Sequence, residues 1–224
     1  MINIQKITEQ DLSREFSGVF VALTPVDSGA SSKILFRISG ELPGRWSQNT
    51  LILMWMGGDP PLMYEYQNIN KFLVKNNIRV PKIFFEGRSG NYLIMEDGGD
   101  LTLETAMKAG GGEAETLYRS ALDLLLSIQR LRPAPDCIAC QRYFNLEKFM
   151  HELAFHVKEH LISKYFHSPL SGKDEAMLTA DYEHLARTLS SQTMVFVHRD
   201  YQSSNLLVHN GSLTITDFQD ARMG

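Results

Sequence analysis

The sequence predicts an α+β fold with a strand-rich N-terminal part and a mainly helical C-terminal part. Short apolar runs bounded by Gly, Pro, Ser and Asp dominate up to residue 95, which is typical of strands. From residue 101 onward, apolar residues recur at helical spacing instead. The polar segment 96–100 separates the two patterns, so we predict an N-terminal lobe over residues 1–97 and a helical lobe over residues 98–224.

The first part contains five predicted strands and one predicted helix. The strands lie at 19–23, 34–38, 51–56, 80–85 and 92–95. Small residues over 24–32 predict a loop, and the Gly- and Pro-rich segment 57–61 predicts a break in the chain. The helix is predicted over 65–75, because Ile69, Phe72 and Leu73 fall on one face.

The second part contains four predicted helices. They lie at 101–109, 113–132, 146–166 and 174–190. The glycines at 110–112 end the first of them. The second carries an apolar stripe at helical spacing, which predicts that one of its faces packs against a core.

Length, charge and cysteine content narrow the class of protein. A chain of 224 residues with a net charge of −4 fits one large or two small domains and predicts no nucleic-acid partner. No apolar run is long enough to span a bilayer, and the N-terminus has no signal-peptide core. Two cysteines exclude a disulfide scaffold. We therefore expect a cytoplasmic protein with no membrane partner.

The most informative stretch lies between residues 195 and 219. His198-Arg-Asp200 is followed by Asn205 after four intervening residues, which matches the kinase catalytic-loop pattern H-R-D-x-x-x-x-N. Asp217-Phe-Gln219 stands where kinases carry D-F-G. Between them, two apolar runs flank Asn210-Gly211, a strong signal for a tight hairpin turn. The hairpin is predicted to bring Asn205 and Asp217 together.

Phosphoryl transfer explains why these residue types recur at this spacing. The enzyme mainly positions the reactants and neutralises the phosphoryl oxygens, which calls for a divalent cation. Asp217 and Asn205 supply the oxygen ligands that Mg²⁺ prefers, and Asp200 is placed to orient a hydroxyl group and accept its proton. The hypothesis is therefore a kinase that uses ATP and Mg²⁺ on a small-molecule hydroxyl acceptor. The alternative is an ordinary hairpin with surface Asp and Asn residues.

With these motifs, the chain resembles the aminoglycoside phosphotransferase and choline kinase superfamily. The wording His-Arg-Asp-Tyr-x-Ser-x-Asn-Leu, followed by Asp-Phe-Gln-Asp-Ala, is most similar to bacterial kinases of N-acetylmuramate and N-acetylglucosamine. The resemblance implies a bilobal protein-kinase-like fold, with a small antiparallel-sheet lobe and a mainly helical lobe. It covers most of the chain and is sharpest from Val195 onward.

The resemblance also implies nucleotide-binding residues. It makes the segment from Asp27 to Lys33 a phosphate-covering loop, Glu65 the helix glutamate that pairs with a strand lysine, and the stretch after Tyr92 the hinge that meets the adenine. The implied nucleotide-binding residues are Ser28, Gly29, Ala30, Ser31, Ser32, Lys33, Glu65, Met95, Glu96 and Asp97. The strand over 51–56 contains no lysine, so the missing cation is supplied by Lys33, Arg37 or another residue.

Three hypotheses about the function stay open at this point. The first is a kinase that acts on an amino sugar, and the second is a kinase that acts on an aminoglycoside or an amino alcohol such as choline. A cationic acceptor needs clustered acids, for which Glu147, Glu152 and Glu159 are candidates. The third reading is a nucleotide-binding pseudokinase or inactive fragment. Kinases of this kind continue past residue 224 with helices that line the acceptor pocket, so we expect an incomplete pocket and self-association through the exposed apolar face.

The pattern Cys137-Ile-Ala-Cys140, followed by His156 and His160, satisfies the spacing of a zinc site. Two reduced thiols and two half-buried helix residues explain the same pattern, because the histidines fall beside an apolar helical stripe. We predict that these four residues hold no zinc.

Overall fold

The structure is a computed structural model that describes residues 12, 21–26, 33–40, 42, 49–56, 60–87, 91–110 and 113–224. Contacts group the chain into two compact units. One consists of Met1–Leu125 and Asp200–Gln219, and the other of Leu126–Arg199 and Asp220–Gly224. The hairpin that follows Asp200 therefore belongs to the unit that contains the sheet, whereas the sequence places it in the helical lobe.

The sheet of the first unit is antiparallel throughout. Its strands are β1 (Val21–Val26), β2 (Ile34–Gly40), β3 (Thr50–Trp55), β4 (Ile83–Glu86) and β5 (Tyr92–Glu96). They lie in the order β1-β2-β3-β5-β4, so β3 and β5 are central. Alternate residues of these two strands, including Leu51, Leu53 and Ile94, form one buried core cluster, and all five residues of β5 are buried. All five predicted strands of the described part are confirmed, with ends shifted by a few residues.

Proline accounts for two of the shifted ends. Helix α1 spans Pro60–Lys75, five residues earlier than predicted, because proline fits the first helical turn, where no backbone N–H is needed. Strand β4 begins at Ile83 rather than at 80, because Pro81 has no N–H for the ladder. The predicted buried face of α1 is confirmed, since Ile69, Phe72 and Leu73 are all at most 7% exposed.

Helices α2 (Leu103–Ala109) and α3 (Ala114–Gln129) follow the sheet. In the second unit come α4 (Leu146–Leu153), a π-helical continuation over Ala154–Tyr165, and α5 (Gly172–Ser190). The sequence predicted a single α-helix over 146–166, which is wrong in its second half. At the end of this segment the backbone N–H of Phe166 donates to the carbonyl of Leu161, five residues back, as the wider turn of a π-helix requires.

Short strands carry the motif region. Strand β6 (Phe196–Val197) pairs with β9 (Arg222–Met223) in the second unit. In the first unit, β7 (Leu206–His209) and β8 (Ser212–Ile215) form the predicted hairpin. Asn210 and Gly211 both have positive φ, 49° and 72°, as a two-residue hairpin turn requires. No helix in the described ranges is long and apolar enough to cross a membrane.

Each strand of the hairpin forms a backbone hydrogen bond to the part of the chain that precedes residue 102. The N–H group of Val208 donates to the carbonyl of Leu101 at 2.7 Å, and that of Ile215 donates to the carbonyl of Arg79 at 2.9 Å. These bonds explain why the hairpin groups with the N-terminal residues. The division at residue 97 marks the change from strands to helices and stays a prediction for the domain boundary.

Candidate active site

The loop from Asp200 to Asn205 is held together by the two amide side chains of Gln202 and Asn205. Nδ2 of Asn205 donates to the backbone oxygen and to Oδ2 of Asp200, at 3.0 Å each. Gln202 donates to the same Oδ2 at 3.2 Å. The exposed carboxylate of Asp200 is therefore held by two amide donors, and the amide oxygen of Asn205 makes neither of these bonds.

The hairpin brings Asn205 next to the segment that contains Asp217. The N–H and the hydroxyl of Thr216 both donate to the carbonyl of Asn205, at 2.9 and 3.1 Å. Asp217 follows directly, with a φ of 62° that few residues other than Gly, Asn and Asp adopt. The predicted juxtaposition of Asn205 and Asp217 is thus present. A carboxylate and an amide oxygen form a donor set that fits Mg²⁺.

Lys33, the residue directly before β2, contacts Asp217. Its Nζ lies 2.6 Å from Oδ1 of Asp217 and 2.6 Å from Oε1 of Gln219, and the residue is only 8% exposed. Gln219 in turn donates from Nε2 to Oδ1 of Asp217 at 3.1 Å. The three side chains close a hydrogen-bonded triangle, which we call the Lys33–Asp217–Gln219 triangle. Sequence reasoning gave Gln219 no role, although a long amide in place of the D-F-G glycine was the available signal.

Tyr66 of α1 lies against this triangle. The Lys33 ammonium is 5.7 Å from its ring centroid, and the ring stacks on Phe218 with centroids 4.6 Å apart. Burial, and then the charge of Asp217, raise the pKa of Tyr66 well above its ordinary value. The sequence did not single out Tyr66. Its neighbour Glu65 is half-buried in the second turn of α1 rather than at its start, and its pairing with a lysine stays a prediction.

Arg37 is committed elsewhere, although the sequence left it as a candidate for the missing strand cation. It makes two hydrogen bonds to Asp97, at 2.6 and 3.2 Å, and two to Asp100, at 3.0 and 2.8 Å. These bonds raise the pKa of Arg37 further above its already high value. Of the two strand cations named from the sequence, only Lys33 therefore contacts Asp217.

The predicted hinge over Met95–Asp97 has its acidic side chains engaged. Glu96 accepts bonds from Arg79 and from the N–H of Lys82. Burial alone raises the pKa of Asp97, but hydrogen bonds from Arg37, the Gly99 N–H and Thr50 outweigh it and hold this pKa below its usual value. The nucleotide contacts of this segment stay a prediction. The predicted phosphate-loop residues 28–32 lie outside the described residues.

The four residues of the zinc pattern have other surroundings. Cys137 and Cys140 are buried thiols, and burial raises the pKa of Cys137 to about 11. His156 bonds to Glu152 at 2.8 Å, and His160 bonds to the carbonyl of Phe155 at 2.8 Å. In the part of the chain that the structure describes, no three His, Cys, Asp or Glu side chains form a metal-binding group.

Comparison with known proteins places the chain in a family. The model of the Phosphotransferase enzyme family (APH) matches residues 22–224. The chain belongs to this family. N-acetylmuramate/N-acetylglucosamine kinase of Pseudomonas aeruginosa is 26% identical over 209 residues, covering 90% of this chain and 56% of that protein. The kinase of the same name from Neisseria meningitidis serogroup B is 26% identical over 154 residues, covering 66% of this chain and 43% of that protein. The chain spans about half the length of these curated relatives.

Solved structures of aminoglycoside phosphotransferases share the fold. The ADP-bound aminoglycoside phosphotransferase APH(2'')-Ib has a TM-score of 0.70 at 17% identity, over 99% of this chain and 72% of that chain. The streptomycin–ATP–APH(2'')-IIa complex has a TM-score of 0.67 at 16% identity, over 100% and 73%. At such identities the likeness concerns the fold alone. It confirms the predicted kinase-like α+β fold.

Proposed function

We propose that this protein transfers the γ-phosphoryl group of ATP to a hydroxyl group of a small molecule, and that the acceptor is an amino sugar of cell-wall metabolism. The single observation that carries this proposal is the array of Asp200, Asn205 and Asp217. Asn205 is hydrogen-bonded to the Asp200 carboxylate, and its carbonyl accepts from Thr216, the residue directly before Asp217. Membership in the Phosphotransferase enzyme family supports the reaction class.

Each residue of the array has a separate role in the proposal. Asp217 and Asn205 hold Mg²⁺, which supplies positive charge to the phosphate oxygens of the nucleotide. Asp200 hydrogen-bonds the acceptor hydroxyl group. As the acceptor oxygen bonds to the γ-phosphorus and the bond to ADP breaks, Asp200 takes the hydroxyl proton. Asn205 keeps Asp200 oriented through Nδ2 while its oxygen serves the metal.

The choice of an amino sugar rests on the relatives. Both curated relatives are named N-acetylmuramate/N-acetylglucosamine kinase, and the one from Pseudomonas aeruginosa aligns with 90% of this chain. The aminoglycoside phosphotransferases are more distant in sequence, at 17% and 16% identity. One of the three candidate acids for a cationic acceptor is already bonded to basic side chains. Glu152 is paired with Lys148, His156 and Arg199, and the Lys148 hydrogen bond is the main cause of its lowered pKa.

A phosphorylation screen tests the proposal. The purified protein is incubated with Mg²⁺ and ATP and with amino sugars, aminoglycosides or amino alcohols, and ADP release and product mass are measured. We expect acceptor-dependent ADP release with N-acetylated amino sugars, and none in the Asp200→Asn variant. Phosphorylation of aminoglycosides alone would overturn the choice of acceptor. Equal activity of the Asp200→Asn variant would overturn the role of the array.

A further inference from the structure

The position of Lys33 differs from that of the cation expected from the motif. Strand β3 contains no lysine, and the cation next to Asp217 comes instead from the residue that directly precedes β2. Its side chain is 9% exposed, whereas that of Asp217 is 34% exposed. An ammonium group so far removed from water is stable only next to anions or strong acceptors. Asp217 supplies the anion, and the amide oxygen of Gln219 is the acceptor.

Gln219 has the chemistry that this arrangement needs. Its Oε1 accepts from the Lys33 ammonium at 2.6 Å, and its Nε2 donates to the Asp217 carboxylate at 3.1 Å. Among uncharged side chains, an amide can accept from a cation and donate to an anion at the same time. The glycine that kinases carry at this position in D-F-G has no side chain to do either. Gln219 thus fixes the distance between a cation and a proposed metal ligand.

We propose that Lys33 is the cation that binds the nucleotide phosphates in this protein, and that Gln219 is the positioning residue that holds it beside Asp217. This inference rests on the proposed function. A lysine ammonium beside the metal carboxylate adds a second positive charge where the phosphate oxygens gather. The Gln219 bond keeps that charge from swinging away on its flexible stem, so less conformational entropy is lost when the nucleotide binds.

Calorimetric titration tests the inference without any acceptor. Binding of ATP with Mg²⁺ is compared with binding of adenosine, which has the same base and sugar but no phosphate. Lys33→Met is expected to weaken ATP binding by about tenfold or more, as for loss of a charge-assisted hydrogen bond, with adenosine binding unchanged. Gln219→Ala is expected to weaken ATP binding by about fivefold, again without an effect on adenosine. Lys71→Met, at an exposed position of α1, serves as the matched control.

A double-variant cycle separates positioning from a merely structural role. If Gln219 acts through Lys33, adding Gln219→Ala to Lys33→Met costs no further ATP affinity. Equal losses of ATP and adenosine binding, or fully additive effects, would overturn the positioning role. Because Gln219→Ala leaves no buried charge without a partner, it remains informative if Lys33→Met does not fold. Wild-type protein that binds no ATP would overturn the proposed function as well, whereas normal binding by both variants would overturn this inference alone.

Discussion

Asn205 donates two hydrogen bonds from one nitrogen to Asp200, at 3.0 Å to the backbone oxygen and 3.0 Å to the carboxylate. Both residues are therefore positioned as one group. A change in the orientation of the Asn205 amide removes one of the two side-chain bonds to the Asp200 carboxylate, the other of which comes from Gln202. In the proposed function, the acceptor hydroxyl and the metal are consequently placed by the same side chain.

Replacement of Asp200 by Asn is expected to reduce turnover by about two to four orders of magnitude, because a positioned proton acceptor is lost. The substitution preserves side-chain size, so ATP binding should stay unchanged. Steady-state kinetics with a phosphorylated acceptor and calorimetry with Mg²⁺ and ATP measure the two effects. Asp181→Asn, at an exposed position of α5, is the control. Normal turnover in Asp200→Asn would remove Asp200 from its role as base.

Replacement of Asp217 by Asn is expected to abolish the dependence of ATP binding on Mg²⁺. A hard cation loses its only charged ligand among the two proposed, and the remaining amide oxygens hold it weakly. Calorimetric titrations with Mg²⁺ and with a chelator measure the difference in affinity for both proteins. If wild-type protein binds ATP equally well in chelator, Asp217 and Asn205 do not form a metal site.

The sequence predicted those contacts of the site that join residues close to each other along the chain. Asn210-Gly211 determines the hairpin turn, and the hairpin brings Asn205 beside Thr216, so residues within about a dozen positions could be joined by reasoning alone. Lys33 and Asp217 are 184 positions apart. Their contact depends on how the sheet and the hairpin pack, which residue periodicity does not reveal. The choice between Lys33 and Arg37 as the missing cation therefore required the structure.

Stability is expected to depend on pH through the bond between Arg37 and Asp97. The folded protein lowers the pKa of Asp97, so the ion pair contributes stability that is complete above the unfolded pKa of about 4 and is lost as pH falls through the folded pKa. Urea denaturation between about pH 6 and pH 3 should therefore show a steeper loss for wild type than for Asp97→Asn. Identical pH dependence in the two proteins would show that Asp97 does not contribute.

The cysteine pattern is expected to hold no zinc. His156 and His160 are hydrogen-bonded to Glu152 and to the carbonyl of Phe155, and among the described residues no three His, Cys, Asp or Glu side chains form a metal-binding group. Elemental analysis of protein purified without added metal should find far less than one zinc per chain. Alkylation of both cysteines should be slow until the protein is unfolded. One zinc per chain, lost in Cys137→Ser, would contradict this prediction.

Gly87 is expected to tolerate no side chain, because its backbone lies directly against the ring of Tyr92. A Cβ atom at Gly87 would lie 2.3 to 2.6 Å from three ring atoms of Tyr92, which is fully buried and cannot move aside. Gly87→Ala should lower the free energy of unfolding by about 1–3 kcal/mol, as for other overpacked cores.

Gly172→Ala is the matched control, since nothing lies within 4 Å of its Cβ position and alanine favours the first turn of α5. Thermal denaturation should place Gly87→Ala several degrees below wild type and Gly172→Ala at or above it. Equal midpoints for Gly87→Ala and wild type would show that the Tyr92 ring does not pack against this backbone.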